Sequence, residues 1–171
     1  VVDMEIPLTD ANLKTEFTDI TSFDMVFCGK EKINSFRMDQ HQIALNKRIF
    51  QKEEKLLELD GKTFQAQLSG SGAAAGDTTQ INFALKDAAF RYPKAFHTTE
   101  NKIVFELLPA LPDDKFGTHL PHYLQFPFCE GKYRMKWGMS FTERIKIDFT
   151  GTVSAEQLNA GEIIPVIDRD Y

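Results

Sequence analysis

The alternation between residues 133 and 149, YRMKWGMSFTERIKIDF, constrains the fold of this chain more than any other stretch. Its odd positions run Tyr133, Met135, Trp137, Met139, Phe141, Glu143, Ile145, Ile147, Phe149, and its even positions run Arg134, Lys136, Gly138, Ser140, Thr142, Arg144, Lys146, Asp148. Side chains alternate across a β-strand with period two, so one apolar row beside one polar row predicts a strand with one face on a core and the other in water. A helix would scatter the same apolar residues around its circumference. The stretch reads as one long strand, or as two strands joined by a kink, with Gly138 marking the bulge or bend.

Shorter strand signals occupy much of the rest. Residues 1–8, 13–17 and 23–28 read as strands, while 33–50 fits either period. Residues 56–59 and 62–68 flank Asp60-Gly61, a pair suited to the positive φ angles of a tight hairpin turn. The Gly- and Ala-rich segment 69–79 reads as a mobile loop in preference to a backbone platform for a ligand. Ile81, Phe83 and Leu85 begin a strand expected to end near Phe90, broken by Tyr92-Pro93, and residues 102–108 form another, stopped by Pro109. Near the end, Ser154 is a plausible N-cap of a short helix with Gly161 as its stop. Many short strands with little 3.6-residue periodicity predict an all-β antiparallel β-sandwich, with a closed β-barrel as the alternative. Fifteen phenylalanines suit an aromatic sheet core, and 171 residues fit a single domain, 1–171. Because Val1 already sits in a strand pattern, the chain reads as a domain cut from a longer polypeptide.

A formal charge of -5 argues against nucleic-acid binding, which needs a basic excess to neutralise phosphates. No apolar run approaches the ~20 residues of a membrane-spanning helix. Cys28 and Cys129 are read as independent thiols rather than a disulfide.

The segment 109–132 is the longest irregular stretch, rich in proline and in the aromatics Phe116, Tyr123, Phe126 and Phe128. Long loops in compact domains are commonly functional, and this aromatic content argues against disorder. His119 and His122 lie within it, near Asp113, Asp114 and Cys129. Zinc accepts such ligands, but Leu120-Pro121 prevents the two histidines from sharing a helix face, so no metal site is assigned. Glu143 interrupts the apolar row: a general acid or base in a cleft is one reading. The preferred reading is a bulge at Gly138 or Thr142 that turns Glu143 outward to an arginine. Arg134, Lys136, Arg144 and Lys146 form a cationic row on the outer face, usually just solvated, though able to receive an acidic partner such as a uronic acid. Tyr92, Phe116 and Tyr123 are candidate platforms for sugar rings, whereas Trp137 has a core register. There is no Gly-rich phosphate cradle and no nucleophile elbow.

Three segments carry a resemblance: INFALKDAAFRYPKAF at 81–96, NKIVFELLP at 101–109, and the stretch 133–149. Through Tyr92-Pro93-Lys94, Leu108-Pro109, and Tyr133-Arg134 with Lys136, Gly138 and Thr142, the chain resembles the central β-sandwich domain of the exo-rhamnogalacturonan lyase/YetA-like proteins of bacteria. The resemblance covers the second half of the chain. It implies a parent with an N-terminal small barrel, this sandwich and a C-terminal helical toroid, acting on pectin-derived oligosaccharides by β-elimination. It assigns no catalytic residue here.

The expectation is therefore an accessory domain, not catalytic alone and without a cofactor, that contributes to saccharide binding or domain packing. Its expected partners are an oligosaccharide or polysaccharide and neighbouring domains of the same chain, with no nucleic acid and no membrane. Substrate-binding candidates are Phe116, His119, His122, Tyr123, Arg134 and Lys136. The alternatives are a catalytic lyase or hydrolase domain using the 109–132 loop, with His119, His122 and Glu143 as candidates, and a purely structural interaction module.

Overall fold

Two six-stranded antiparallel sheets face one another across a phenylalanine-rich core in the computed structural model. It describes residues 2–7, 17–111, 128–129, 131–136 and 140–160, with backbone alone at 2–7, 17 and 128–129. The first sheet orders β1 (Val2–Pro7), β15 (Ser140–Asp148), β10 (Gln80–Leu85), β9 (Ser71–Ala75), β4 (Ser35–Met38) and β5 (His41–Ile43). The second orders β3 (Phe23–Cys28), β12 (Lys102–Leu108), β11 (Lys94–Thr99), β6 (Arg48–Glu53), β7 (Leu56–Leu59) and β8 (Lys62–Gln65). The expected sandwich is thus observed, and its sheets do not close into a barrel.

The core follows from period-two registers meeting face to face. Phe36, Met38, Phe83, Leu85 and Ile145 of the first sheet pack against Ile49, Leu57, Phe96, Ile103, Phe105 and Leu107 of the second. Phe83 and Phe105 meet edge to face at 4.8 Å between ring centres, a favoured aromatic geometry. Phe96 approaches the same Phe105 ring at 5.7 Å.

A third sheet orders β13 (Phe128–Cys129), β14 (Lys132–Lys136) and β2 (Phe17–Ile20). Its Tyr133, Ile20 and Met135 pack with Phe50, Ala95 and Leu108, which point away from the main core on the second sheet. The alternating stretch is therefore two strands rather than one, and they belong to different sheets. Tyr133 serves the outer cluster while Ile145 serves the central one. Residues 137–139, with Trp137 and Gly138 among them, lie outside the described residues.

The Asp60-Gly61 hairpin is present, with φ of 52° and 76° at the two turn residues and Leu59 opposite Lys62, but its second strand ends at Gln65 rather than at residue 68. The ambiguous 33–50 region resolves into β4, β5 and the start of β6. The strand through Ile81 ends at Leu85, before Phe90. The reading of 13–17 as a strand meets the described chain only at Phe17, where β2 begins.

The largest correction is at 69–79, where the expected mobile loop is β9, an interior strand hydrogen-bonded to both β4 and β10. Small residues are needed there because large rings cross the strand: a Cβ on Gly72 would lie 2.3 Å from the Phe83 ring and 2.6 Å from Met38 Sδ. Helix α1 (Ala155–Asn159) starts at the expected cap, with Ser154 Oγ accepting from Gln157 N and Gln157 Oε1 accepting from Ser154 N.

Candidate functional site

Glu143 keeps its inward register, so the expected outward bulge is overturned. The opposite sheet supplies the reason: Lys94 of β11 reaches across the interior to place Nζ 3.1 Å from Glu143 Oε1. Lys94 Nζ also donates to the Leu107 carbonyl at 2.8 Å, and Arg91 Nη2 stands 3.6 Å from the same Glu143 oxygen. Burial pushes the Lys94 ammonium down from its ordinary value, and the Glu143 carboxylate opposes that shift. Glu143 lines neither the concavity beside Phe90 nor the one beside Phe149. Its geometry is that of a tie between sheets.

A second polar network lies on the outer face of the second sheet. Arg48 clamps Glu106 through two hydrogen bonds of 2.7 and 2.6 Å, and His97 Nδ1 lies 3.1 Å from Glu106 Oε1. Burial raises the Glu106 carboxyl, but the His97 and Arg48 hydrogen bonds outweigh it and leave the group below its ordinary value. Nearby Asp24 is raised by burial and by the Glu106 charge. A carboxylate held from both sides in this way has little basicity left for catalysis.

The concavity whose chemistry suits a polar ligand lies between residues 66–70, the 86–90 turn and the end of α1. Gln67, Leu68, Ser69, Asp87, Ala89, Phe90 and Asn159 line it, enclosing about 380 Å³. Its walls are tied from beneath by the buried side chain of Gln51, whose Nε2 donates to the Ala89 carbonyl at 2.9 Å and whose Oε1 accepts from Leu68 N at 3.2 Å. Gly70, next in the chain after Ser69, takes φ 93°, where a Cβ would collide with the Leu85 carbonyl at 2.1 Å. Asn159 Nδ2 fixes α1 to the Ser69 carbonyl at 3.0 Å, and Asp39 accepts from Ser69 N at 2.8 Å. Asp87, at φ 57°, starts the turn that returns through Phe90 N to the Asp87 carbonyl at 3.0 Å. That turn holds the Phe90 ring 71% exposed beside the groove, and Tyr92, two residues on, is 44% exposed.

The residues nominated from sequence are placed as follows. Phe116, His119, His122 and Tyr123, with Asp113 and Asp114, lie outside the described residues, as does the side chain of Cys129. Arg134 engages Asp19 through two bonds of 2.8 Å, directly across the β14–β2 pair, so its expected role as a sugar-carboxylate receptor competes with an existing ion pair. Lys136 is exposed at the end of β14. Arg144 and Lys146 sit on β15 in another sheet, so the expected cationic row is divided between two surfaces. Cys28 is an exposed free thiol. Among the described residues no group of three or more His, Cys, Asp or Glu side chains is placed to hold a metal, and no helix is long and apolar enough to cross a membrane.

Tyr92 is a candidate from the sequence, whereas Gln67, Asp87, Phe90 and Asn159 are not. The available signal was the polar, aromatic run DAAFRYP following a regular strand. No family model, no curated protein and no solved structure matches this chain.

Proposed function

We propose that this chain is an accessory β-sandwich module of a carbohydrate-active protein, and that its groove at Phe90 takes a neutral sugar unit of an oligosaccharide. The observation that carries this reading is the exposed Phe90 ring beside a concavity lined by Gln67, Ser69, Asp87 and Asn159, residues that carry amide, hydroxyl and carboxylate groups. Sugars present apolar C–H faces, which pack on an aromatic plane, and hydroxyls, which amide and carboxylate side chains recognise by donating and accepting in one plane. The groove is tied by Gln51 and Asn159 and so needs little ordering on binding.

The charge of the site chooses among sugars. Asp87 lines the groove, and Glu54 lies 3.5 Å from Gln67 Nε2 on its margin. A uronate carboxylate entering beside them meets repulsion, so neutral or deoxy units fit better than acidic ones. On this reading the groove takes a neutral unit of a pectin-derived oligosaccharide, the substrate class that the resemblance implies.

Titration calorimetry of the chain with rhamnogalacturonan oligosaccharides, neutral pectic side chains and oligogalacturonate tests the proposal. Binding of ligands with neutral units, weakened roughly tenfold by Phe90→Ala, is the expected result. Preference for oligogalacturonate, or affinity indifferent to Phe90→Ala, would overturn it.

A further inference from the structure

A second concavity opens between the two sheets, where β3 and β12 face β9, β10 and the residue after β15. It encloses about 510 Å³ and shares no lining residue with the groove at Phe90. Its walls are Phe27, Ile33, Ala74, Ile81, Ile103 and Phe149. Ala74 presents only a methyl group where its neighbours carry large side chains, which leaves space between sheets that ordinarily stand ~10 Å apart. A narrow apolar continuation passes Ile147 toward Phe83 and Phe105 of the core. Phe149 is 63% exposed at the opening.

The mouth is polar, firm and cationic. Gly29 N donates to the Asn101 carbonyl at 2.7 Å, Asn101 Nδ2 to the Gly29 carbonyl at 2.7 Å, and Ile33 N to the Glu100 carbonyl at 2.6 Å, so the 29–33 segment is fastened at both ends. Lys30 and Lys32 both contribute to the lining. Both are exposed, and neither forms an ion pair among the described residues. Glu31, between them, is turned onto the 76–79 turn: it accepts from Thr78 N at 3.1 Å, Thr79 Oγ1 at 3.0 Å and the Thr78 hydroxyl. Its carboxylate also lines the cleft, so the two ammonium groups, set against it, leave one net positive charge at the entrance to an apolar slot.

We infer that this cleft binds an anionic amphiphile, a single unbranched hydrocarbon chain ending in a carboxylate, with the chain between the sheets and the head group at Lys30 and Lys32. Its volume lies within the ~300–1,000 Å³ of pockets that hold small organic ligands. A slot between two sheets admits one chain thickness, and its apolar walls reward each methylene taken from water. The head group is specified by charge: a neutral alcohol gains the same chain burial without the two lysines.

Displacement of 1-anilinonaphthalene-8-sulfonate from the full chain by octanoate, decanoate, dodecanoate and decanol, each below its micelle concentration, tests the inference. The carboxylates should compete at one equivalent per chain and tighten about fourfold per methylene. Decanoate should bind more tightly than decanol, and Lys30→Gln with Lys32→Gln should weaken decanoate roughly fivefold or more while leaving decanol unchanged. Ala74→Leu, which fills the slot, should abolish both, with circular dichroism confirming the fold. Should that variant fail to fold, the lysine pair and the chain-length series still decide. No displacement, equal affinity for decanol and decanoate, or indifference to the lysine substitutions would overturn the inference.

Discussion

Lys94 and Glu143, drawn from opposite sheets, meet at 3.1 Å in the interior with side chains only 3% and 2% exposed. The pair explains how a charged residue occupies an apolar row without twisting the strand. Removing one member leaves the other charge buried and alone, so Glu143→Leu should lower unfolding stability by about 3–5 kcal/mol. Lys94→Met combined with Glu143→Leu should recover most of that loss, because two apolar side chains need no compensation. Urea denaturation of the single and double variants checks this. Additive losses would show that the two residues act independently.

Gly72 should not tolerate a methyl group. The Phe83 ring lies where the Cβ would be placed, and Phe83 is itself fixed against Phe36 at 6.2 Å and Phe105 at 4.8 Å. Gly72→Ala should therefore cost about 1–3 kcal/mol in urea denaturation, whereas an unchanged midpoint would mean that β9 can shift away from β10.

Acid should weaken the turn after β15. Asp148 accepts from Thr150 N at 2.9 Å, Val153 N at 2.7 Å and the Thr150 hydroxyl at 2.5 Å, and these bonds, led by that hydroxyl, lower its pKa from 3.8 to about 2. A carboxylate lowered on folding stabilises fully above its unfolded value and loses that contribution as pH falls through the folded one. Asp148→Asn should thus be less stable than the parent at pH 7, with the difference narrowing between pH 3.8 and about 2. Thermal melts across that range measure the convergence; a constant gap would contradict it.

Tyr133 anchors the small sheet to the second large one by donating its hydroxyl to the Pro109 carbonyl at 2.7 Å. Tyr133→Phe leaves that buried carbonyl without this partner and should cost about 1–3 kcal/mol. Amide exchange should quicken first in β14 and β2 if the sheet is held this way, and uniformly if it is not.

These relationships show what the sequence disclosed. The hairpin at Asp60-Gly61, the Ser154 cap and the alternating rows around Phe83, Phe105 and Ile145 are local patterns, and each became the predicted element. Segment 69–79 misled because glycine and alanine are poor strand formers by propensity; only the Phe83 and Met38 side chains, distant in sequence, explain why small residues are required. Glu143 misled for the same reason, since its partner Lys94 lies on another sheet. The continuity of residues 133–149 hid a change of sheet, because period two specifies which side chains share a face but not which core receives them. The groove was legible only as the run around Tyr92; Gln67 and Asn159 join it through tertiary packing.

The most direct test of the saccharide reading is an amide NMR titration of the chain with a neutral pectic oligosaccharide, repeated on Phe90→Ala. The expected result is shift changes centred on Gln67, Ser69, Asp87, Phe90 and Asn159 that disappear in the variant. Changes centred elsewhere, or none at millimolar ligand, would contradict it.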